Sequence, residues 1–135
     1  MKKDFFRGML VDDIKEAKIL LVGVPYDKNA SIGKGASEEP DVMRECSIHF
    51  PPLTRDGDVI SDFKIYDYGN IVEEDNEGCE KYFDRVQDKM REIYKENKFS
   101  IIIGGDHSIA IPTERAFFDY AKSLNKEPVI IHIDA

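Results

Sequence analysis

The chain has 135 residues, of which 41% are hydrophobic and 34% charged. That is the size of one ordinary domain, and a composition that excludes collagen-like and wholly disordered classes. A formal charge of -8 argues against a nucleic-acid surface and suits small cationic ligands. No apolar run approaches the roughly 20 residues that span a bilayer. The start, with Lys2, Lys3, Asp4 and Arg7, lacks the apolar stretch of a secretory signal. The sequence therefore predicts no membrane partner and a cytoplasmic address. Cys46 and Cys79 belong to no CxxC pattern, which excludes zinc-ribbon and thioredoxin-like readings and predicts two reduced thiols.

In chain order, residues 19–24 form a continuous apolar run ended by Pro25, the pattern of a parallel strand buried on both faces. A polar, glycine-containing loop follows over 26–39. Pro40 suits the first turn of a short helix, where its missing N–H costs nothing, and that helix would carry Val42, Met43 and Cys46 on one side. Residues 50–62 read as a surface excursion, and 63–68 as a second strand closed by Gly69 and Asn70. A long helix is predicted from a cap at Asp75 or Asn76 to about Asn97. Cys79, Phe83, Val86, Met90 and Ile93 recur at helical spacing on its packing face, with Tyr82 and Tyr94 flanking them. Lys95 and Lys98 suit the negative end of its dipole. A third strand over 99–103, a helix over 112–124 and a fourth strand over 129–133 complete the pattern. Strands alternating with helices predict an α/β fold with a parallel sheet and right-handed crossovers.

In such sheets ligands collect at the carboxyl ends of the strands. Here those ends carry Pro25-Tyr26-Asp27, Gly69-Asn70, Gly104-Gly105-Asp106-His107-Ser108 and Asp134. Two adjacent glycines allow a sharp turn and a close approach to a ligand, and Asp106 and His107 then offer a carboxylate and an imidazole. Asp134, leaving a run of isoleucines and valines, is a costly buried charge unless it is paired, binds metal or caps a following element. His132 shares a strand face with Asp134 and could join it as a ligand, but reads first as a hydrogen-bonded core histidine. His49 lies in the surface excursion and carries no claim. Gly33-Lys34-Gly35 lacks the third glycine of a dinucleotide fingerprint, and neither a Walker loop nor a calcium loop occurs.

Taken together, these motifs resemble the ureohydrolase family of arginases and agmatinases. The turn Gly104-Gly105-Asp106-His107-Ser108 and the later Ile131-His132-Ile133-Asp134-Ala135 carry the resemblance. Gly23-Val24-Pro25-Tyr26-Asp27, Lys34-Gly35-Ala36, Pro40, Arg44-Glu45 and Tyr66-Asp67-Tyr68-Gly69-Asn70 support it. The match is agmatinase-like, with two departures: Lys34 stands where arginine is usual, and Glu39 where glycine is.

The resemblance implies a three-layer α/β/α architecture of which 1–135 is the N-terminal portion of a single domain, holding about four strands. It implies two manganese ions, with His107 a ligand to the more exposed one and Asp134 a bridging ligand. Asp106 would orient the site, as support residues around metals do, and Asp27 and Asn29 would lie at the substrate entrance. The implied reaction is hydrolysis of a cationic guanidino compound, most simply agmatine to putrescine and urea in polyamine biosynthesis, by a hydroxide bridging the two ions. Arginase, guanidinobutyrase and formimidoylglutamase specificities stay open, as does a non-catalytic assembly module of the same fold. The proton-transfer and guanidinium-binding residues of the family have no counterpart in these 135 residues, so the chain alone is expected to be inactive. Family members assemble as trimers or hexamers, and a homo-oligomer is expected.

Overall fold

A computed structural model describes residues 5–133. Three parallel strands, β1 (Ile19–Val24), β2 (Ile65–Asn70) and β3 (Phe99–Gly104), lie in the order β2-β1-β3. Three helices accompany them: α1 (Glu39–Ser47), α2 (Cys79–Lys95) and α3 (Ala110–Ser123). β1 is central because it is apolar on both sides, every residue after Ile19 being buried. The crossover from β1 out to β2 carries α1, and the one returning past β1 to β3 carries α2. Opposite directions of travel with one handedness put the two helices on opposite faces. The predicted α/β sandwich is the observed one.

Period-two alternation along β1 divides the core. Leu20, Val22 and Val24 pack with Tyr82, Phe83, Val86, Met90 and Ile93 of α2 and Ala116 of α3. Leu21 turns to the other face and meets Met9, Ile65 and Ile103. Each fully buried aliphatic side chain contributes about 1.5–3 kcal/mol to holding the layers together. The predicted α2 face is present, with Tyr82 in the middle of it rather than at its flank: Tyr82 is fully buried and its hydroxyl donates to the Ile71 carbonyl at 2.6 Å.

Several boundaries and faces differ from expectation. α2 starts at Cys79, not at Asp75 or Asn76, because residues 74–77 form a turn in which the Glu77 carboxylate accepts the Glu74 N–H and a guanidinium from Arg85. Lys98 does not serve the end of α2. Its ammonium donates to the carbonyls of Ile14 and Ala17, at 2.6 and 2.5 Å, and so ties the start of β3 to the turn preceding β1.

α1 buries Pro40 and Arg44, while Val42, Met43 and Cys46 are exposed. Electrostatics overrules the hydrophobic pattern here. The Arg44 guanidinium makes a two-pronged bond to Asp67 (2.7 and 2.8 Å) and a third to Asn70 Oδ1 (2.6 Å). Asp67 and Asn70 reach the same side of β2 because the pairing register shifts between them, at Gly69, whose φ of 74° favours glycine.

The predicted fourth strand is not formed among the described residues. Residues 129–133 take no regular secondary structure, and Val129, Ile131 and Ile133 are 79%, 84% and 91% exposed. An apolar β-rich run becomes a strand only where a neighbour accepts its hydrogen bonds, and β3 forms no ladder with it. Among the described residues no helix is long and apolar enough to cross a membrane.

Candidate functional site

In the order β2-β1-β3, the helix after β1 (α1) lies on one face and the helix after β3 (α3, packed with α2) on the other, so the crevice between the carboxyl ends of β1 and β3 is the topological switch point of the sheet. Two segments meet there: the loop that follows Val24 and the turn that follows Gly104. Their backbones touch. The Asp106 N–H donates to the Tyr26 carbonyl at 2.6 Å. A Cβ built on Gly105 would stand 2.0 Å from that same carbonyl oxygen, so this position admits no side chain. Tyr26 is itself pinned from below, its ring stacked on Tyr82 and edge-on to Phe83, both at 5.3 Å between centroids. Burial, with the Cys79 thiol beside it, pushes the Tyr26 phenol well above its ordinary range.

Asp106 opens a short 3-10 turn, His107–Ile109, that leads directly into α3. Its carboxylate caps that turn: Oδ1 accepts the Ser108 N–H at 2.9 Å and the Ser108 hydroxyl at 2.5 Å. Oδ2 accepts the Asn29 N–H at 2.9 Å. With both oxygens committed, Asp106 holds the turn rather than reaching outward. His107, one position on, is exposed at the crevice.

His132 stands beside it, the two rings 4.9 Å apart and tilted by 40°. The expectation that His132 is a core histidine is therefore corrected: it is exposed and faces His107. Asp134 lies outside the described residues.

The two entrance-loop residues have distinct parts. Asp27 organises its own loop: Oδ2 accepts the Gly35 N–H at 2.8 Å and the Ser37 hydroxyl at 3.1 Å, and its carbonyl accepts the Lys34 ammonium at 2.6 Å. The Gly35 hydrogen bond, chiefly, holds the Asp27 carboxyl below the usual carboxylate range. Lys34, the departure from the family pattern, thus closes the loop it sits in. Asn29 reaches across to the other segment, its amide nitrogen 3.2 Å from Ser108 Oγ and 3.8 Å from Cys79 Sγ. Ser108 and Cys79 received no part in the site from sequence, although Ser108 lies inside the quoted turn.

An exposed imidazole at a strand tip, on a turn capped by the preceding carboxylate, is of the chemical type that can bind a borderline divalent cation. Among the described residues no group of three or more His, Cys, Asp or Glu side chains gathers to hold one.

The fold and crevice define a parallel three-layer α/β protein whose glycine-glycine turn presents Asp106, His107 and Ser108 at its switch crevice. Comparison with known proteins makes this specific. The Arginase family model matches residues 17–135, and the chain belongs to the arginase family. It is 32% identical over 100 residues to the formimidoylglutamase of Halalkalibacterium halodurans, covering 72% of this chain and 31% of that protein. To the agmatinase of Bacillus subtilis it is 29% identical over 125 residues, covering 90% and 40%. Among solved structures it resembles Trypanosoma cruzi formiminoglutamase with Mn2+, with a TM-score of 0.73 at 20% identity, covering 86% of this chain and 40% of that one. The chain thus spans about a third to two fifths of the length of the curated relatives it matches.

Proposed function

We propose that the whole protein is a manganese-dependent hydrolase of linear amidines, agmatinase-like, releasing urea from a cationic guanidino compound. The observation that carries this reading is the Gly104–Gly105 turn at the switch crevice, rigidly seated on Tyr26 and presenting His107, in a chain whose family match runs over 17–135. His107 would hold one metal ion, with Asp134 as a further ligand and the remaining ligands contributed by sequence beyond these 135 residues. When bound, divalent ions of this kind acidify a water and polarise the carbon it attacks, which a resonance-stabilised guanidinium requires.

The residues of this chain bind and orient. Asp106 fixes the His107 turn through Ser108 and Asn29, and the Gly105–Tyr26 contact keeps the two crevice walls at a set spacing. Asp27 and Lys34 hold the loop that borders the crevice. The net charge of -8 favours approach of a cation over that of an anionic substrate.

Formimidoylglutamate is the second reading, favoured by the 32% identity to a formimidoylglutamase. Product analysis separates the two. The whole protein, loaded with Mn2+ and offered agmatine or formimidoylglutamate in parallel, is expected to release urea from agmatine. Formamide from the second substrate alone would assign the other specificity, and no product from either, or from any other guanidino compound, would overturn the hydrolase reading.

A further inference from the structure

The loop after β1 and the turn after β3 are joined by a chain of hydrogen bonds with a fixed direction. Asp106 Oδ1 is a carboxylate oxygen and can only accept, so Ser108 Oγ, 2.5 Å away, commits its single proton there. The hydroxyl then has only lone pairs to offer its other neighbour. That neighbour is Asn29, and the network requires the amide nitrogen, not the oxygen, to face Ser108, as it does at 3.2 Å. The second N–H of the same amide points to Cys79 Sγ at the start of α2, at 3.8 Å. The Asn29 backbone N–H meanwhile donates to Asp106 Oδ2 at 2.9 Å. One exposed loop residue therefore grips both residues that bracket His107.

We propose that Asn29 is a positioning residue for His107, acting through the donor sequence Asn29 to Ser108 to Asp106. It is not, on this geometry, primarily a substrate-entrance residue. The inference rests on the reading of His107 as a metal-holding group. The isosteric change Asn29→Asp isolates the mechanism. It keeps the shape and removes the donor, so a second acceptor faces a hydroxyl whose proton is taken, and a like charge faces Asp106. By Coulomb attraction alone an added carboxylate near a cation site would tighten metal binding. A positioning role requires the opposite.

The test measures Mn2+ affinity of the whole protein, from the electron paramagnetic resonance of free Mn2+, for wild type, Asn29→Asp, Asn29→Ala and Ser108→Ala. Asn29→Asp is expected to weaken binding by about 10- to 100-fold, the range for loss of residues that orient metal ligands. Asn29→Ala should weaken it less, because water can replace the missing donor. In the Ser108→Ala background, Asn29→Asp should cost much less than alone. Binding by Asn29→Asp within about twofold of wild type, or tighter, would overturn the proposal.

A second readout does not depend on metal: cross-relaxation between the His107 and His132 ring protons, whose centroids are 4.9 Å apart. It should be strong in wild type and reduced in Asn29→Asp. If wild type bound no Mn2+, the functional reading would fail on that result, and unchanged ring contact in Asn29→Asp would separately overturn the positioning role.

Discussion

Gly105 and Tyr26 are in backbone contact: the Tyr26 carbonyl oxygen lies 2.0 Å from where a Gly105 Cβ would stand, and the same oxygen accepts the Asp106 N–H. Two strand ends, far apart in sequence, are thereby locked at the crevice. Space, not backbone conformation, makes glycine obligatory, since Gly105 has no positive φ. The change Gly105→Ala must push the two walls apart. It should destabilise the fold by about 1–3 kcal/mol, the usual cost of overpacking, and weaken metal binding with it. Thermal unfolding checks the first part, and an unchanged midpoint would refute it.

Arg44 and Asp67 form the second fixed point, under the sheet's other face. The Arg44 side chain is 6% exposed and that of Asp67 16%, and the guanidinium spans both carboxylate oxygens. Chiefly that hydrogen-bonded pairing with Asp67 raises the Arg44 pKa above its ordinary value. Arg44→Met strands the carboxylate and should cost about 3 kcal/mol. The double change Arg44→Met with Asp67→Leu should recover part of the loss, because an apolar pair needs no compensation. Denaturant titration of the three proteins decides this; equal stability of single and double variants would contradict it.

A pH dependence follows from Glu77. The Arg85 guanidinium, at 2.5 and 2.7 Å, chiefly holds its carboxyl down at about 2, against an ordinary 4.5. A carboxyl depressed in the folded chain contributes stability that is complete above pH 4.5 and is lost as pH falls toward about 2, because the unfolded chain takes up the proton first. Glu77→Gln should therefore lower stability at neutral pH and converge on wild type as pH falls from 4.5 toward about 2, which flattens the acid limb of the stability curve. A parallel downward shift at every pH would show that the carboxylate's charge is not what matters.

Tyr82 sits where α2, the Tyr26 ring and the segment after β2 converge. Its hydroxyl donates to the Ile71 carbonyl at 2.6 Å in a fully buried setting, and burial raises its pKa far above the usual phenol value. Tyr82→Phe keeps the ring stack and removes the bond, so the expected loss is about 1–2 kcal/mol. Loss of cooperative unfolding in this variant would mean that the hydroxyl organises more than one carbonyl.

The sheet and its crevice were legible because their signals are local. The apolar run 19–24, the helical spacing from Cys79 to Ile93 and the glycine pair at 104–105 each follow from one segment's own chemistry. What was not legible depended on partners distant in sequence. Arg44 draws α1 onto its polar side because a bulge at Gly69 brings Asp67 and Asn70 together, and no period in 39–47 signals that. Lys98 serves Ile14 and Ala17 rather than the helix it follows. Residues 129–133 read as a strand by composition, but composition does not supply a neighbour. At the site, His107 and Asp106 were identifiable from the turn motif. The directional link from Asn29 through Ser108 was not, because it joins loops that only the fold makes adjacent.

His107, on the turn that Asp106 caps at the switch crevice, is proposed to hold metal in an amidine hydrolase. The most direct test of this is the Mn2+ dependence of urea release from agmatine by the whole protein, compared between wild type and His107→Ala at equal folded fraction. The account predicts activity that requires Mn2+ in wild type and a loss of at least about 100-fold in His107→Ala, the upper range for disturbing a metal site. Undiminished Mn2+-dependent release by His107→Ala would contradict it.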